Sequence, residues 1–313
     1  MDSLFKLPMS GVREMLLREH LAAYIAPLGR RGGEEPSNRG DRGQKCGGEG
    51  VAVVMANEAV CWLIGGAETM RRRAEACGYM VQEWPTGGFG AIAGVIGRSI
   101  MELPQGSSTE VGLDGMEFTA SACEQMIAVL RRSGGITVRS NVAISRLSGT
   151  ATNNTNALYD DTKTALVSVK TTGVSVDTRL GSIRRALREL HADGMLMADG
   201  DDIAWALNIA RHSSAETVSD EYRTLAPLGY LIISTTDATL YINKALLTTS
   251  AMDYLRQNGI GLSSIAQVKR GLNDYFEQTI LMDPDEVCYT LLHATPRQLV
   301  RATSPVRALR ATL

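Results

Sequence analysis

At 313 residues, with 44% hydrophobic and 21% charged residues and a formal net charge of -2, the chain has globular composition and room for two domains of roughly 100–200 residues each. The near-neutral balance argues against a dedicated nucleic-acid or membrane-surface protein, and no apolar run approaches the roughly 20 residues that span a bilayer. Cys46, Cys61, Cys77, Cys123 and Cys288 are scattered without CxxC spacing and read as reduced thiols, and the start lacks an apolar signal core, so a cytoplasmic location is expected.

In chain order, Val12, Met15 and Leu16 predict a helix over 11–24 with Ser10 as N-cap. It runs into a short strand at 22–26 that Pro27 should end. From Leu28 to Gly50 the composition turns to Gly, Arg, Glu and Pro, which predicts a mobile loop. Residues 51–55 and 60–64 then form a hairpin turning at Ala56-Asn57-Glu58. A helix over 67–77 stopping at Gly78, a strand at 79–83, a helix over 90–101, a strand at 110–113, a helix over 120–133 and a strand at 136–138 follow.

The second half repeats this order. Thr178 is expected to cap a helix with the stripe Leu180, Ile183, Leu187 and Leu190, and 195–197 is the short strand. The hairpin of 50–64 aligns without a gap on 229–243, an offset of 229 − 50 = 179. Gly78 pairs with Gly259, helix 90–101 with a helix bearing Ile265, Val268, Leu272 and Phe276, and Asp114 with Asp283. A period this long indicates a duplicated domain, not a solenoid. Strands alternating with helices, plus one antiparallel hairpin, imply an α/β fold, a mixed sheet covered by helices in each of two tandem domains. Polar residues 148–161 lie between the copies.

One stretch carries more than fold. Asp202-Ile203-Ala204-Trp205-Ala206-Leu207-Asn208-Ile209 resembles the "(D/E)-I-A-W-L-L-N-I-R-G" signature of the non-catalytic N-terminal part of Xaa-Pro aminopeptidases (aminopeptidase P), in the creatinase/prolidase superfamily. Ala206 stands for the usual Leu, and Ala210-Arg211 replaces the usual Arg-Gly. Residues 280–284 and 304–311 look like the family's "i-L-D-P" strand and its "S-P-V-x-x-L-K-A" entry into the catalytic domain. The first domain departs from the family: "D-x-H-x-S-E-Y" and "S-G-F-T-G-S-A-G" are not matched, and "W-T-D-G-R-Y" becomes Trp62-Leu63-Ile64-Gly65-Gly66-Ala67.

The resemblance implies two tandem creatinase/prolidase N-terminal-like domains with a ribonuclease H-like motif, at 1–147 and 178–303, a linker at 148–177, and the start of a catalytic domain at 304–313. The chain is expected to be the N-terminal pair of a metal-dependent enzyme that removes the residue before a penultimate proline, either a piece of it or a naturally short protein. Its expected role is to gate substrate access and support assembly. Its partners would be its own catalytic domain, short proline-containing peptides and a possible second copy, with neither nucleic acid nor membrane. The divalent pair, manganese or zinc, would belong to the catalytic domain, so this chain alone should be inactive. The alternative is a stand-alone interaction or small-ligand-binding module; the gene sequence beyond Leu313 discriminates the two.

Candidate chemistry within the chain is sparse. His20, His191, His212 and His293 are isolated, and His20 and His191 fall at corresponding helix ends, where satisfying terminal carbonyls explains them better than metal ligation. Asp199, Asp201 and Asp202 could suggest a carboxylate site, but a cap by Asp201 or Asp202 is favoured. Gly88, Gly90 and Gly94, with Asp114 beyond, weakly imitate a dinucleotide fingerprint; the second copy keeps Asp283 without the glycines, which assigns the acid to the scaffold. Arg30-Arg31-Gly32-Gly33 and Arg39-Gly40-Asp41-Arg42 lack interleaved aromatics for base stacking. Trp205, Asn208 and Arg211 remain as substrate-access candidates, with Trp205 expected in the core and Arg211 standing in for the family's displaced arginine.

Overall fold

The structure, a computed structural model, describes residues 8–28, 50–65, 68–133, 135–142, 164–166, 173–211, 229–275, 277–294 and 298–312. The loop expected at 28–50, apart from its end residues Leu28 and Gly50, which belong to strands, the Arg-Gly tracts, His212 and most of the segment between the copies lie outside them. Two compact units divide the chain, Met1–Leu158 with Cys288–Thr290, and Tyr159–Val287 with Leu291–Leu313.

In the first unit, α1 (Met9–Arg18) buries Val12, Met15 and Leu16. It begins earlier and ends sooner than expected: Pro8 occupies the N-cap and supplies a fixed φ, and His20 turns into the left-handed region at φ 55. Strand β1 (Ala23–Leu28) runs through Pro27 instead of stopping before it. The reason is positional. Only Ala23 to Ile25 pair with β5, so at Pro27 the strand has β2 alone beside it and a missing N–H is tolerated. Strands β2 (Gly50–Met55) and β3 (Ala59–Leu63) form the hairpin, α2 (Glu68–Ala76) follows, and Gly78 takes φ 84 before β4 (Met80–Glu83). Then come α3 (Gly88–Met101), β5 (Glu110–Leu113), α4 (Ala120–Arg132) and β6 (Thr137–Arg139). The six strands lie in the order β4-β3-β2-β1-β5-β6. Alternate residues of the sheet serve two cores, Ile25, Val51 and Val53 on the α3–α4 side and Tyr24, Ala52 and Val54 on the α1–α2 side.

The second unit rebuilds this plan. Helix α5 (Val176–Glu189) starts before Thr178; Ser175 is its cap, the Ser175 Oγ accepting from the Thr178 amide at 3.2 Å. After β7 (Thr164–Leu166) and α5 come β8 (Gly194–Met197), α6 (Gly200–Leu207), β9 (Ile209–Arg211), β10 (Gly229–Ser234) and β11 (Ala238–Ile242). Then follow α7 (Thr249–Gln257), β12 (Ile260–Ser263), α8 (Val268–Asn273), β13 (Thr279–Met282), α9 (Tyr289–His293), β14 (Gln298–Arg301) and α10 (Val306–Thr312). The main sheet runs β12-β11-β10-β8-β13-β14, and β7 and β9 make a separate antiparallel pair. The helix expected to carry Ile265 and Phe276 is broken: a 3-10 turn holds Ile265–Gln267, α8 spans six residues, and Phe276 is outside the described residues. Gly271, Asn273 and Asp274 are poor helix formers, which accounts for its shortness.

The hairpins match pair for pair. Gly50 faces Leu63 as Gly229 faces Ile242, and Val54 faces Ala59 as Ile233 faces Ala238, each at the offset of 179. His20 and His191 take φ 55 and 54, and Gly78 and Gly259 φ 84 and 70. Asp114 and Asp283 each accept from the amide two residues on, at 2.9 and 3.0 Å. These carboxylates serve the turn after the strand in both units.

Candidate functional site

The signature segment lies at the C-terminal end of β8, in the connection between β8 and β10. Asp199 caps α6, its Oδ1 accepting from the amides of Asp201 and Asp202 at 2.8 and 3.0 Å. This corrects the expectation that Asp201 or Asp202 is the cap. The helix starts at Gly200, two residues earlier than an Asp201 cap would place it, and the Asp202 side chain turns inward. Asn208 ends α6 in the left-handed conformation, φ 52, as a short amide side chain permits.

Two side chains, Arg179 and Asn208, hold the end of this helix by its polar groups. Arg179, on α5 and 4% exposed, donates to the Trp205 carbonyl and to Asn208 Oδ1, and its guanidinium lies 4.9 Å from the centre of the Trp205 ring. The Asn208 amide donates to the Val174 carbonyl at 3.0 Å. Burial pushes the Arg179 pKa down, while the negative end of Tyr254 acts in the other direction; an arginine keeps its charge over any ordinary range. Trp205 is half-buried, packed on the second unit's core cluster with one part reaching solvent, so the expectation of a core residue holds only in part. Asn208 is fully buried. Arg211 contributes its backbone to the pairing of β9 with Thr164, and its side chain lies outside the described residues. Trp205 and Asn208 are thus brought together, through Arg179, which the sequence pattern did not single out.

A second set of charges gathers below the helix. The Asp202 side chain, 2% exposed, accepts from Arg310 of α10 at 2.6 Å. Burial raises the Asp202 pKa and the Arg310 hydrogen bond opposes that shift. Asp283 accepts from the Ser304 amide at 2.8 Å, tying the end of β13 to the segment before α10. Glu286 is buried, with Arg307 3.6 Å away and itself mostly exposed. Burial, then the charges of Asp283, Asp202 and Asp199, push its pKa up to about 9 against the weaker pull of Arg307. The long, solvated contact to Arg307 does not offset that burial, which favours the protonated form of Glu286. The sequence signals were there in retrospect: an acid at the third position of a capped helix, and two arginines spaced three apart in a helix beginning at Val306.

Among the described residues, no three His, Cys, Asp or Glu side chains converge as a divalent ion needs, and the acids below α6 are met by guanidinium groups. Of the glycines that imitate a dinucleotide fingerprint, Gly90 lies against α4, and Gly97, outside the fingerprint, is the one with no room for a side chain. Gly90 sits inside α3, where an added Cβ would lie 3.5 Å from Gln125 and 3.8 Å from Val129 of α4, and at Gly97 it would lie 2.8 Å from Ser133. Cys61, Cys77, Cys123 and Cys288 are not joined to one another by disulfides. Among the described residues no helix is long and apolar enough to cross a membrane.

Comparisons with known proteins converge. Residues 158–312 match the creatinase/prolidase N-terminal domain family. The chain is 22% identical over 248 residues to aminopeptidase P2 of Arabidopsis thaliana, covering 76% of this chain and 32% of that protein. It is 31% identical over 88 residues to a probable Xaa-Pro aminopeptidase P of Verticillium alfalfae, covering 28% and 13%. The crystal structure of an X-prolyl aminopeptidase from Caenorhabditis elegans, described as a cytosolic enzyme with a di-nuclear active site, superposes with a TM-score of 0.72 at 14% identity, over 99% of this chain and 52% of that one. The chain therefore spans about a third of the plant relative and half of the nematode one. With the signature helix, the paired mixed sheets and these likenesses together, residues 158–312 form a creatinase/prolidase N-terminal domain, and the chain over most of its length is similar to Xaa-Pro aminopeptidases.

Proposed function

We propose that this chain is the N-terminal domain pair of a metal-dependent Xaa-Pro aminopeptidase, a hydrolase of the cytosol that removes the residue before a penultimate proline. It supplies the gate and the assembly surface, while the divalent pair, manganese or zinc, and the hydrolytic groups belong to a C-terminal catalytic domain. Short proline-containing peptides are the substrates of the whole, and a second copy of the chain is a possible partner. Trp205, with its half-exposed ring, and Arg211 are the residues offered to the peptide path; Asn208, being buried, acts by shaping the end of α6.

The observation that carries this reading is the ion pair of Asp202 with Arg310. It joins the family's signature helix to the segment that resembles the family's entry into the catalytic domain. A charge buried in that way is costly unless paired, so the signature and the following segment are built as one piece. A second support is the scale of the likeness, nearly the whole of this chain against half of the nematode enzyme.

The test compares the purified chain with the polypeptide read from its gene through any continuation past Leu313. The chain alone is expected neither to hydrolyse Xaa-Pro peptides nor to bind manganese or zinc stoichiometrically, and the longer product to do both. Chelator-sensitive turnover by the chain alone would overturn the division of labour. A reading frame that ends without a catalytic domain would favour the stand-alone module instead.

A further inference from the structure

Arg179 sits where a charge is costly. It lies in the first turns of α5, is 4% exposed, and its hydrogen bonds all go to neutral groups. Nη1 gives its two hydrogens to the Trp205 carbonyl and to Asn208 Oδ1, and Nε is buried without a hydrogen-bond partner. Among the described residues no carboxylate forms an ion pair with it. A buried charge met only by neutral oxygens calls for a reason. Closing α6 is not a sufficient one. Asn208 already ends the helix in the left-handed conformation, and its backbone N–H returns to the carbonyls of Ala204 and Trp205.

What the guanidinium does beyond capping is lie over the indole, 4.9 Å from the centre of the Trp205 ring, within the range of a cation–π contact. One rigid, planar group therefore meets Trp205 twice, at its backbone carbonyl and at its ring. Only two side-chain torsions separate those points. The guanidinium is steadied in turn by Asn208, whose amide is tied to the Val174 carbonyl at 3.0 Å. Trp205 is half-buried, so core packing encloses only part of the ring, and the arginine supplies a contact that the core does not. We propose that Arg179 is a positioning residue for peptide binding, holding the Trp205 indole in the orientation in which its exposed part meets the peptide. This rests on the placing of Trp205 in the peptide path. Lysine is no substitute: an ammonium can donate to the two oxygens but has no plane to lay on a ring.

Fluorine NMR of the full chain labelled with 5-fluorotryptophan tests the hold on the ring. Trp62 and Trp84 belong to the first unit and serve as internal controls, and Trp205→Phe assigns the remaining line. The parent should give one narrow Trp205 line. In Arg179→Lys that line should move toward the position of the free amino acid and broaden or split, with the other two unmoved. Amide signals of β8 and β10 report whether the second unit is folded. Arg179→Gln, which keeps a donor without the charge, replaces the lysine variant if that one unfolds. In the longer gene product, Arg179→Lys should raise KM for Xaa-Pro peptides about fivefold with kcat unchanged, the mark of lost binding. It should add nothing in a Trp205→Ala background, because it acts through that ring. An unmoved Trp205 line in a folded variant, or a KM effect that persists in full without Trp205, would each overturn the assignment. A parent that turns over no peptide would instead sink the peptidase reading, and the fluorine spectra alone would then decide whether Arg179 holds the ring.

Discussion

The two units share strand order, hairpin register and even the φ angles of their helix ends, and they part company in the connection between the first two strands of the sheet. In the second unit the path from β8 to β10 carries α6 and β9, with the family signature on them. In the first unit the path from β1 to β2 covers 29–49, which lies outside the described residues and whose sequence shares nothing with that signature. The shared part is held by apolar stripes and close strands; the distinctive part is held by buried charge, Arg179 on one side of α6 and Asp202 on the other. Scaffold and identity are therefore maintained by different physics, and substitutions can separate them.

The largest effect is expected where the scaffold leaves no space. Gly50 has φ 149, and an added Cβ would lie 2.0 Å from the Trp62 carbonyl oxygen; at Gly229, its counterpart, the same atom would lie 2.7 Å from the Tyr241 oxygen. Gly50→Ala combines backbone strain with overpacking and should cost roughly 3–5 kcal/mol. Gly229→Ala meets the clash alone and should cost about 1–3 kcal/mol. Denaturant melts rank the two, and equal losses would mean that the hairpins are interchangeable after all.

Next comes the charge that anchors the signature. Arg310→Ala strands the Asp202 carboxylate in the interior and should cost about 3 kcal/mol, at the low end for a buried pair because Arg310 is a third exposed. Asp202→Asn should cost less, since the guanidinium it abandons can reach water. The reverse order, measured by the same melts, would remove the anchoring role.

A gain is expected at Glu286. Its folded pKa, about 9, lies above the ordinary 4.5, so the folded state binds the proton more tightly. The stability this contributes is complete below the unfolded value and is lost as pH rises through the folded one, over the window from about 4.5 to 9. Glu286→Gln should flatten the decline in stability across that window and leave the variant more stable than the parent at the alkaline end. A parent whose stability does not fall there would show Glu286 to be ionised and paired with Arg307.

Trp205→Ala is expected to cost about 2 kcal/mol, below the 3–5 kcal/mol of a fully buried aromatic, because part of the ring is exposed. The same substitution in the longer protein should reduce peptide turnover beyond the loss of folded protein. Activity that merely tracks the folded fraction would make Trp205 architectural.

Much of the framework was legible because it rests on local pattern. Leu180, Ile183 and Leu187 recur at helical spacing and are buried together, and the Gly50 and Gly229 segments announce the same hairpin by an ungapped match. What could not be read were relations set by tertiary structure. Asp202 and Arg310 are 108 residues apart, and Arg179 and Asn208 are 29 apart, with no periodicity linking either pair. Pro27 misled because a proline is disallowed in a strand only where both neighbours need its donor, and pairing partners are not written in the strand itself.

The smallest effect concerns the cap of α6, where three acids stand within four positions. Asp199 alone has a backbone conformation outside the helix, φ -68 and ψ 121, and its Oδ1 receives two amide donors from the first turn. Asp199→Ala removes both bonds and should cost about 1 kcal/mol, within the range typical of lost N-caps. Asp201 gives its amide to that cap instead of supplying it, so Asp201→Ala should cost less than Asp199→Ala. Because the cap acts on α6 and not on the sheet, amide exchange should quicken over 203–208 in Asp199→Ala while β10 and β11 stay protected. Faster exchange spread equally through those strands would tie the helix to the sheet more tightly than the separation of scaffold from signature allows.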